Sequence, residues 1–281
     1  MKHSLTCMMF GLLLLCLPVS AMAGPVTFSG NLAQGGMAMG KAPPGTRVIF
    51  QKRAVQVSPD GRFVIGFSRD AGPGAMVSLH YPDKTAEHIT LSISPRQYRV
   101  QHIDGLPPSK VTPTDKADLA RIQKEAAQAA AARKWDSPHT DFSTPFIWPV
   151  TGRISSTWGS QRILNGVPKN PHFGVDIAAP TGTPVRAPAG GIIRLAHEDM
   201  FYSGGTLILD HGHGISTIYM HLSKLRVTEG QTVSQGDLIG DVGATGRVTG
   251  PHLHWGMHWF GTPIDPSLLT PPMPQPEGLQ K

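Results

Sequence analysis

The chain has 281 residues, with 25 Lys and Arg against 19 Asp and Glu for a formal net charge of +6. Hydrophobic residues make up 40%, enough to build cores, which excludes a wholly disordered chain. Gly 32 and Pro 26, with only 16% charged residues, point away from a helical bundle and towards many short strands and turns, and the length suits two ordinary domains.

Residues 1–23 read as a secretory signal. Lys2 and His3 form its basic start, Cys7 to Leu17 its apolar run, and Ala21-Met22-Ala23 its small-residue cleavage site. The apolar run is about half of the roughly 20 residues a bilayer span needs. The expectation is therefore a cleaved signal, a mature start at Gly24, a periplasmic or secreted protein and no stable membrane anchor. Bulky Leu15 before Cys16 disfavours lipoprotein processing. Both cysteines, Cys7 and Cys16, leave with the signal, so no disulfide, thiol nucleophile or Cys-based zinc site is expected. A basic exported chain suits a polyanionic surface, and basicity alone does not choose among wall polymer, outer leaflet and nucleic acid.

Residues 24–107 carry the pattern of an all-β domain. Ala54 to Val57 and Phe63 to Phe67 alternate around Ser58-Pro59-Asp60-Gly61, which predicts a hairpin, and Met76 to Tyr81 with Ile89 to Ile93 predict a second across Pro82-Asp83-Lys84-Thr85. Val48 to Gln51 and Tyr98 to Ile103 add further strands. Such spacing suggests an immunoglobulin-like β-sandwich. His80, His88 and His102 are scattered singly and read as ordinary histidines.

Residues 108–145 read as a linker. Asp115 to Lys134 is rich in helix formers, with Thr114 as N-cap, and its narrow apolar stripe of Leu119 and Ile122 predicts a helix that lies on a surface or spaces two domains, a connector rather than a core. Residues 146–270 form a second, glycine-dense β domain, and the proline-rich residues 271–281 a frayed tail.

Within that second domain, His172 and Asp176 are four residues apart, and His252 and His254 two. On a strand, whose side chains alternate faces, both separations leave a pair on one side. Gly174 beside Val175 and Ile177 favours an extended segment there. With His221, this is the raw material of a zinc site that keeps one position open. His211 and His213 read as turn residues, and His197, His258 and Asp241 have no motif support. No His-Glu-x-x-His helix, Gly-x-Ser-x-Gly elbow or phosphate-binding loop competes.

His172-x-x-x-Asp176 within Pro-His-Phe-Gly-Val-Asp-Ile-Ala-Ala-Pro, Tyr219-Met-His221-Leu and Gly250-Pro-His252-Leu-His254 resemble the LytM/lysostaphin-type zinc metallopeptidases, the M23 peptidase family. The segment from Gly152 to Arg162 resembles the block that opens that family's catalytic domain. The resemblance implies an M23-type β-sandwich or duplicated hybrid peptidase fold over residues 146–270 and one Zn2+ per chain on His172, Asp176 and His254. It further implies His252 and His221 as the flanking catalytic pair. The implied activity is hydrolysis of peptide cross-links in bacterial peptidoglycan, with glycine-bridge cleavage or a non-catalytic regulator of another wall hydrolase as alternatives. The expected partners are peptidoglycan peptide stems and, through the N-terminal domain, a wall-machinery protein, with no nucleic acid.

Overall fold

The computed structural model describes residues 26–274, so the signal-peptide reading and the end of the tail lie outside the described residues. Seven strands come first: β1 (Thr27–Gly30), β2 (Met37–Lys41), β3 (Arg47–Phe50), β4 (Arg53–Val55), β5 (Arg62–Gly66), β6 (Gly74–His80) and β7 (Ala86–Ser92). They form two antiparallel sheets, ordered β1-β2-β5 and β4-β3-β6-β7. Val48, Phe50, Phe63, Ile65, Val77 and Leu79, alternating along their strands, are buried in one core.

The hairpin expected around Pro59-Asp60-Gly61 is half right. The turn closes, with the Gly61 N–H donating to Ser58 O at 2.8 Å and the Arg62 N–H to Ser58 Oγ at 2.8 Å. Its flanking strands do not pair: β4 joins β3 and β5 joins β2, so the turn carries the chain from one sheet to the other. The true hairpin, β3 to β4, turns through Gln51 and Lys52, whose φ values are +48° and +64°. A left-handed pair without Gly or Asn leaves no compositional signal. The β6–β7 hairpin forms as expected.

β8 (Val100–Ile103) leaves the first group altogether and runs parallel to β10 (Gln161–Leu164). Between them come α1 (Pro108–Val111), α2 (Lys116–Ala132) and β9 (Arg153–Ser156). The N-cap of α2 is Asp115, not Thr114: its carboxylate accepts the Asp118 N–H at 2.9 Å. Of the two expectations for α2, it lies on a surface rather than merely spacing two domains: it docks on a sheet. Leu119 is 46% exposed, while Ala132 packs with Leu195, Met200, Ile208 and Ile218, and Ala129 lies against that cluster. Alanines let the helix axis approach closely, so the contact stripe is small rather than apolar and bulky.

The remaining strands are β11 (Val167–Pro168), β12 (Val175–Ala178), β13 (Pro184–Arg186), β14 (Gly191–Met200), β15 (Gly204–Gly212), β16 (Ile215–Leu222), β17 (Lys224–Leu225), β18 (Thr232–Val233), β19 (Leu238–Asp241), β20 (His252–Trp259) and β21 (Thr262–Ile264). The main sheet runs β18-β14-β15-β16-β20-β12-β9, with β21 on β20, and β13-β19-β17 forms a small sheet of its own. The fold is thus predominantly β, and its two halves share one core. Phe50 meets Trp259 at 5.6 Å between ring centroids, and Arg96 pairs with buried Asp265 at 2.8 Å.

Candidate metal centre

The central pair is set by strand register. β12 and β20 are antiparallel, with Asp176 directly opposite His254 and Ala178 opposite His252. Opposite residues on one face have neighbouring side chains, and His254 Nδ1 lies 2.8 Å from Asp176 Oδ1. His172 arrives differently from the expectation. β12 begins only at Val175, so His172 stands outside the strand in an irregular segment. Backbone bonds position it, His172 N–H to Ser160 O at 2.8 Å and Gly159 N–H to His172 O at 2.7 Å. Gly174 lets this segment lie on the His254 ring, since a Cβ there would fall 2.4 Å from His254 Cε1.

His172 Nε2, Asp176 Oδ1 and His254 Nδ1 form a triangle with edges of 3.0, 2.8 and 2.9 Å. Zinc bonds of about 2.0–2.1 Å put tetrahedral neighbours about 3.3 Å apart, close to these edges. A single proton on His254 Nδ1 would satisfy one edge and leave lone pairs opposed across another, whereas a cation satisfies all three. His172 Nδ1 donates to Ser156 Oγ at 2.9 Å, and Ser156 Oγ donates to Gln101 Oε1 at 2.8 Å. That chain leaves the His172 Nε2 lone pair facing the triangle. Arg162 Nη2 holds the other carboxylate oxygen, Asp176 Oδ2, at 2.8 Å. Two neutral imidazoles and one carboxylate fit zinc with an open fourth position.

Electrostatics agree with this donor set. Burial, partly offset by Asp176, pushes the His172 imidazole down to about 4. Burial alone would raise Asp176, but its close contacts with the His172 and His254 rings outweigh it and hold the carboxyl well below its ordinary value. Both therefore present lone pairs at neutral pH.

His252 and His221 flank the triangle. Their rings are 4.8 Å apart, and His221 lies 6.2 Å from His254. His252 Nδ1 donates to Gly250 O and His221 Nδ1 to Thr245 O, each at 2.9 Å. Carbonyls only accept, so each ring carries its proton on Nδ1 and keeps Nε2 free. His252 Nε2 is 3.9 Å from Asp176 Oδ1. Burial pushes His221 down to about 3, and its φ of +66° is left-handed, strain of about 1–3 kcal/mol of the kind held at functional sites.

Among the described residues, the other histidines stay out of the cluster. His211 is fully buried between Gly190 O and Thr217 Oγ1, a core residue rather than a turn residue. His213 does turn, with φ +49°. Asp241 forms an ion pair with Arg226 at 2.8 Å. Sequence reasoning assigned no role to Ser156, Gln101, Arg162 or Thr245, which orient the histidines and the carboxylate. Ser156 and Arg162 did have a signal, their place in the opening block. The site opens into a cavity of about 860 Å³ whose other wall is α2, through Ile122, Glu125, Ala126 and Ala129.

Comparison with known proteins places this constellation among relatives. The model of Peptidase family M23 matches residues 170–266, which contain all five side chains. The peptidoglycan DD-endopeptidase ShyA of Vibrio cholerae is 42% identical over 123 residues, 43% of this chain and 28% of that protein. The DD-carboxypeptidase/endopeptidase Mpg of Neisseria meningitidis is 44% identical over 104 residues, 37% of this chain and 24% of that protein. The chain thus matches only about a quarter of the length of these curated relatives. A crystal structure described as a peptidase M23 from Pseudomonas aeruginosa extends the likeness well beyond the site. It aligns with a TM-score of 0.66 and 31% identity over 85% of this chain and 95% of its own. With motif, donor geometry and overall fold in agreement, this chain belongs to the M23 peptidase family.

Proposed function

We propose that the protein is an exported zinc endopeptidase that hydrolyses peptide cross-links of bacterial peptidoglycan. Zinc is the metal of M23 peptidases, and the His-Asp-His cluster, whose donor atoms lie within 4.8 Å of one another, offers it a place. The observation that carries the proposal is the pair of free Nε2 atoms, on His252 and His221, beside an open-sided ligand triangle. A closed structural site would use a fourth protein ligand instead.

Zinc supplies a Lewis acid able to bring the pKa of water from about 15.7 towards about 7 and to polarise a scissile carbonyl. In our reading the proton of the attacking water goes to the coupled pair. His252 Nε2 accepts it, and the adjacent His221 Nε2 can share it and, while carrying it, donates to the developing oxyanion. The pair then delivers it to the leaving amine nitrogen. Arg162 keeps Asp176 ionised and correctly rotated.

Residues 24–107 would form an immunoglobulin-like module, with β8 paired instead to the catalytic half, 108–145 a linker whose helix docks on the main sheet, and 146–270 the catalytic domain. The three-plus-four strand order supports the first and the extent of the family match the last. Among the described residues no helix is long and apolar enough to cross a membrane. Export rests on the pattern of residues 1–23, and the wall as substrate on the printed names of ShyA and Mpg.

The test is digestion of purified peptidoglycan by the zinc-loaded chain, read by product masses, beside His254→Ala. Cleavage that survives the substitution rejects the site. Stoichiometric zinc without any cleavage would favour the regulator of another hydrolase.

A further inference from the structure

The cavity that opens from the metal centre holds positive charge that is not fully neutralised among the described residues. Its lining includes four cationic side chains, Arg133, Arg162, Lys169 and Arg247, and one carboxylate, Glu125. That carboxylate is already engaged, and Arg162 is taken by Asp176, which also serves the histidine triangle. Glu125 takes the Arg121 guanidinium at 2.7 Å and the Phe201 N–H at 2.7 Å. Among the described residues, Arg133 and Arg247 have no carboxylate partner, and Arg133 Nε is buried with no hydrogen-bond acceptor.

The two arginines mark different stretches of the cavity. Arg247 belongs to the metal end: it follows Thr245, the anchor of His221, and its guanidinium lies over the Tyr202 ring at 4.5 Å. One Nη donates to Lys110 O at 3.1 Å, leaving the rest of the fork free. Burial lowers it from the ordinary arginine value, and the neighbouring Arg162 charge adds to that. Arg133 follows the C-terminus of α2 beside His258, which shares a strand face with His254 four residues away. At about 3.3 Å per residue, that puts the second arginine about 13 Å along the strand from the ligand.

Two half-buried guanidinium groups without counterions are costly unless the cavity's occupant brings the charge. A planar fork with free donors is the group that recognises carboxylates in bidentate fashion. We propose that the cleft selects an anionic peptide, with Arg247 binding a free carboxylate close to the scissile bond and Arg133 binding a second farther along the groove. This rests on the endopeptidase reading and deepens it. It favours acidic stem peptides, which carry free carboxylates, over neutral glycine bridges.

The zinc-loaded full chain would be titrated calorimetrically with an uncross-linked stem tetrapeptide, first as the free acid and then with its carboxylates amidated. Cleavage of cross-linked stem dimers and of pentaglycine would be followed in parallel. Wild type should bind the free acid at least about tenfold more tightly than the amide. Arg247→Gln should lose that preference without changing affinity for the amide, and should raise KM for stem dimers more than it lowers kcat. Arg133→Gln should do so more weakly. Zinc content of each variant separates a binding loss from a disturbed centre.

Equal binding of acid and amide would overturn the inference, as would no measurable binding or pentaglycine cleavage as fast as that of stem dimers. Arginine variants that weaken both ligands alike would also overturn it. A retained preference for the acid with no hydrolysis would support the inference while sinking the endopeptidase reading.

Discussion

Replacing Gly174 by Ala tests the metal centre through one methyl group. A Cβ at this position would lie 2.4 Å from His254 Cε1, 2.5 Å from His254 Nε2 and 2.9 Å from Trp255 O. Ordinary contact begins near 3.4 Å, so the imidazole must retreat by about 1 Å or the 172–176 segment must lift by the same amount. Metal sites tolerate about 0.2 Å in ligand distance, and either movement opens the triangle well past that. Gly174 has an ordinary backbone angle, so the effect is steric and local. We expect zinc affinity to fall about 10- to 100-fold, wall hydrolysis by about 100-fold, and stability of the metal-free protein by about 1–3 kcal/mol from overpacking. Competition with a chelator of known affinity measures the first, product release from peptidoglycan the second and denaturant melts the third. If Gly174→Ala binds zinc within twofold of wild type, the close approach of this segment to His254 is not what shapes the centre.

Ser156→Ala removes the acceptor of the His172 Nδ1 proton and should weaken zinc binding about 10-fold with little change in fold; unchanged affinity would deny it an orienting role. Zinc at about 1,000 times its Kd should stabilise the protein by about 4 kcal/mol, and a chelator should reverse this; no shift in Tm would argue against binding in the folded state. Asp210 accepts bonds from Ser137 Oγ at 2.5 Å and from Arg194 Nε at 3.0 Å. Burial would raise its carboxyl, but His139, Ser137, the Gly212 N–H and Arg194 together bring it down to about 2. Its stabilisation, about 2 kcal/mol, is therefore complete above the unfolded value near 4 and lost as pH falls through about 2. Asp210→Asn should lower stability at pH 7 by about that amount and flatten the acid limb of the stability curve; an unchanged acid limb would refute the assignment.

What could be read from the sequence was whatever depends on short-range pattern. The turn at Pro59-Asp60-Gly61 was legible because proline and glycine impose backbone angles, but period-two alternation looks the same whether the next strand pairs back or crosses to another sheet. The His172 and Asp176 spacing pointed to side chains that do meet His254, for an incomplete reason: Asp176 faces His254 by register, while His172 is brought in by loop hydrogen bonds. Helix formers located α2, yet its docking surface escaped notice because alanines carry little hydrophobic signal. Gln101 and Ser156 lie 55 residues apart, and no local pattern announces such a bond.

That last bond ties the front half of the chain to the chemistry of the back half. Gln101 sits on a strand whose neighbour, β10, carries Arg162, so a single parallel ladder supports the outer partners of both a histidine and a carboxylate. A gene fusion or recombination event that exchanged the residues before the linker would replace more than an accessory module. It would bare the β10 edge, release the Ser156 hydroxyl and retune metal retention from outside the segment that carries the ligands. Natural shuffling of this architecture should therefore keep Val100–Ile103 with the catalytic half, or replace it with another strand that presents an amide at the same place.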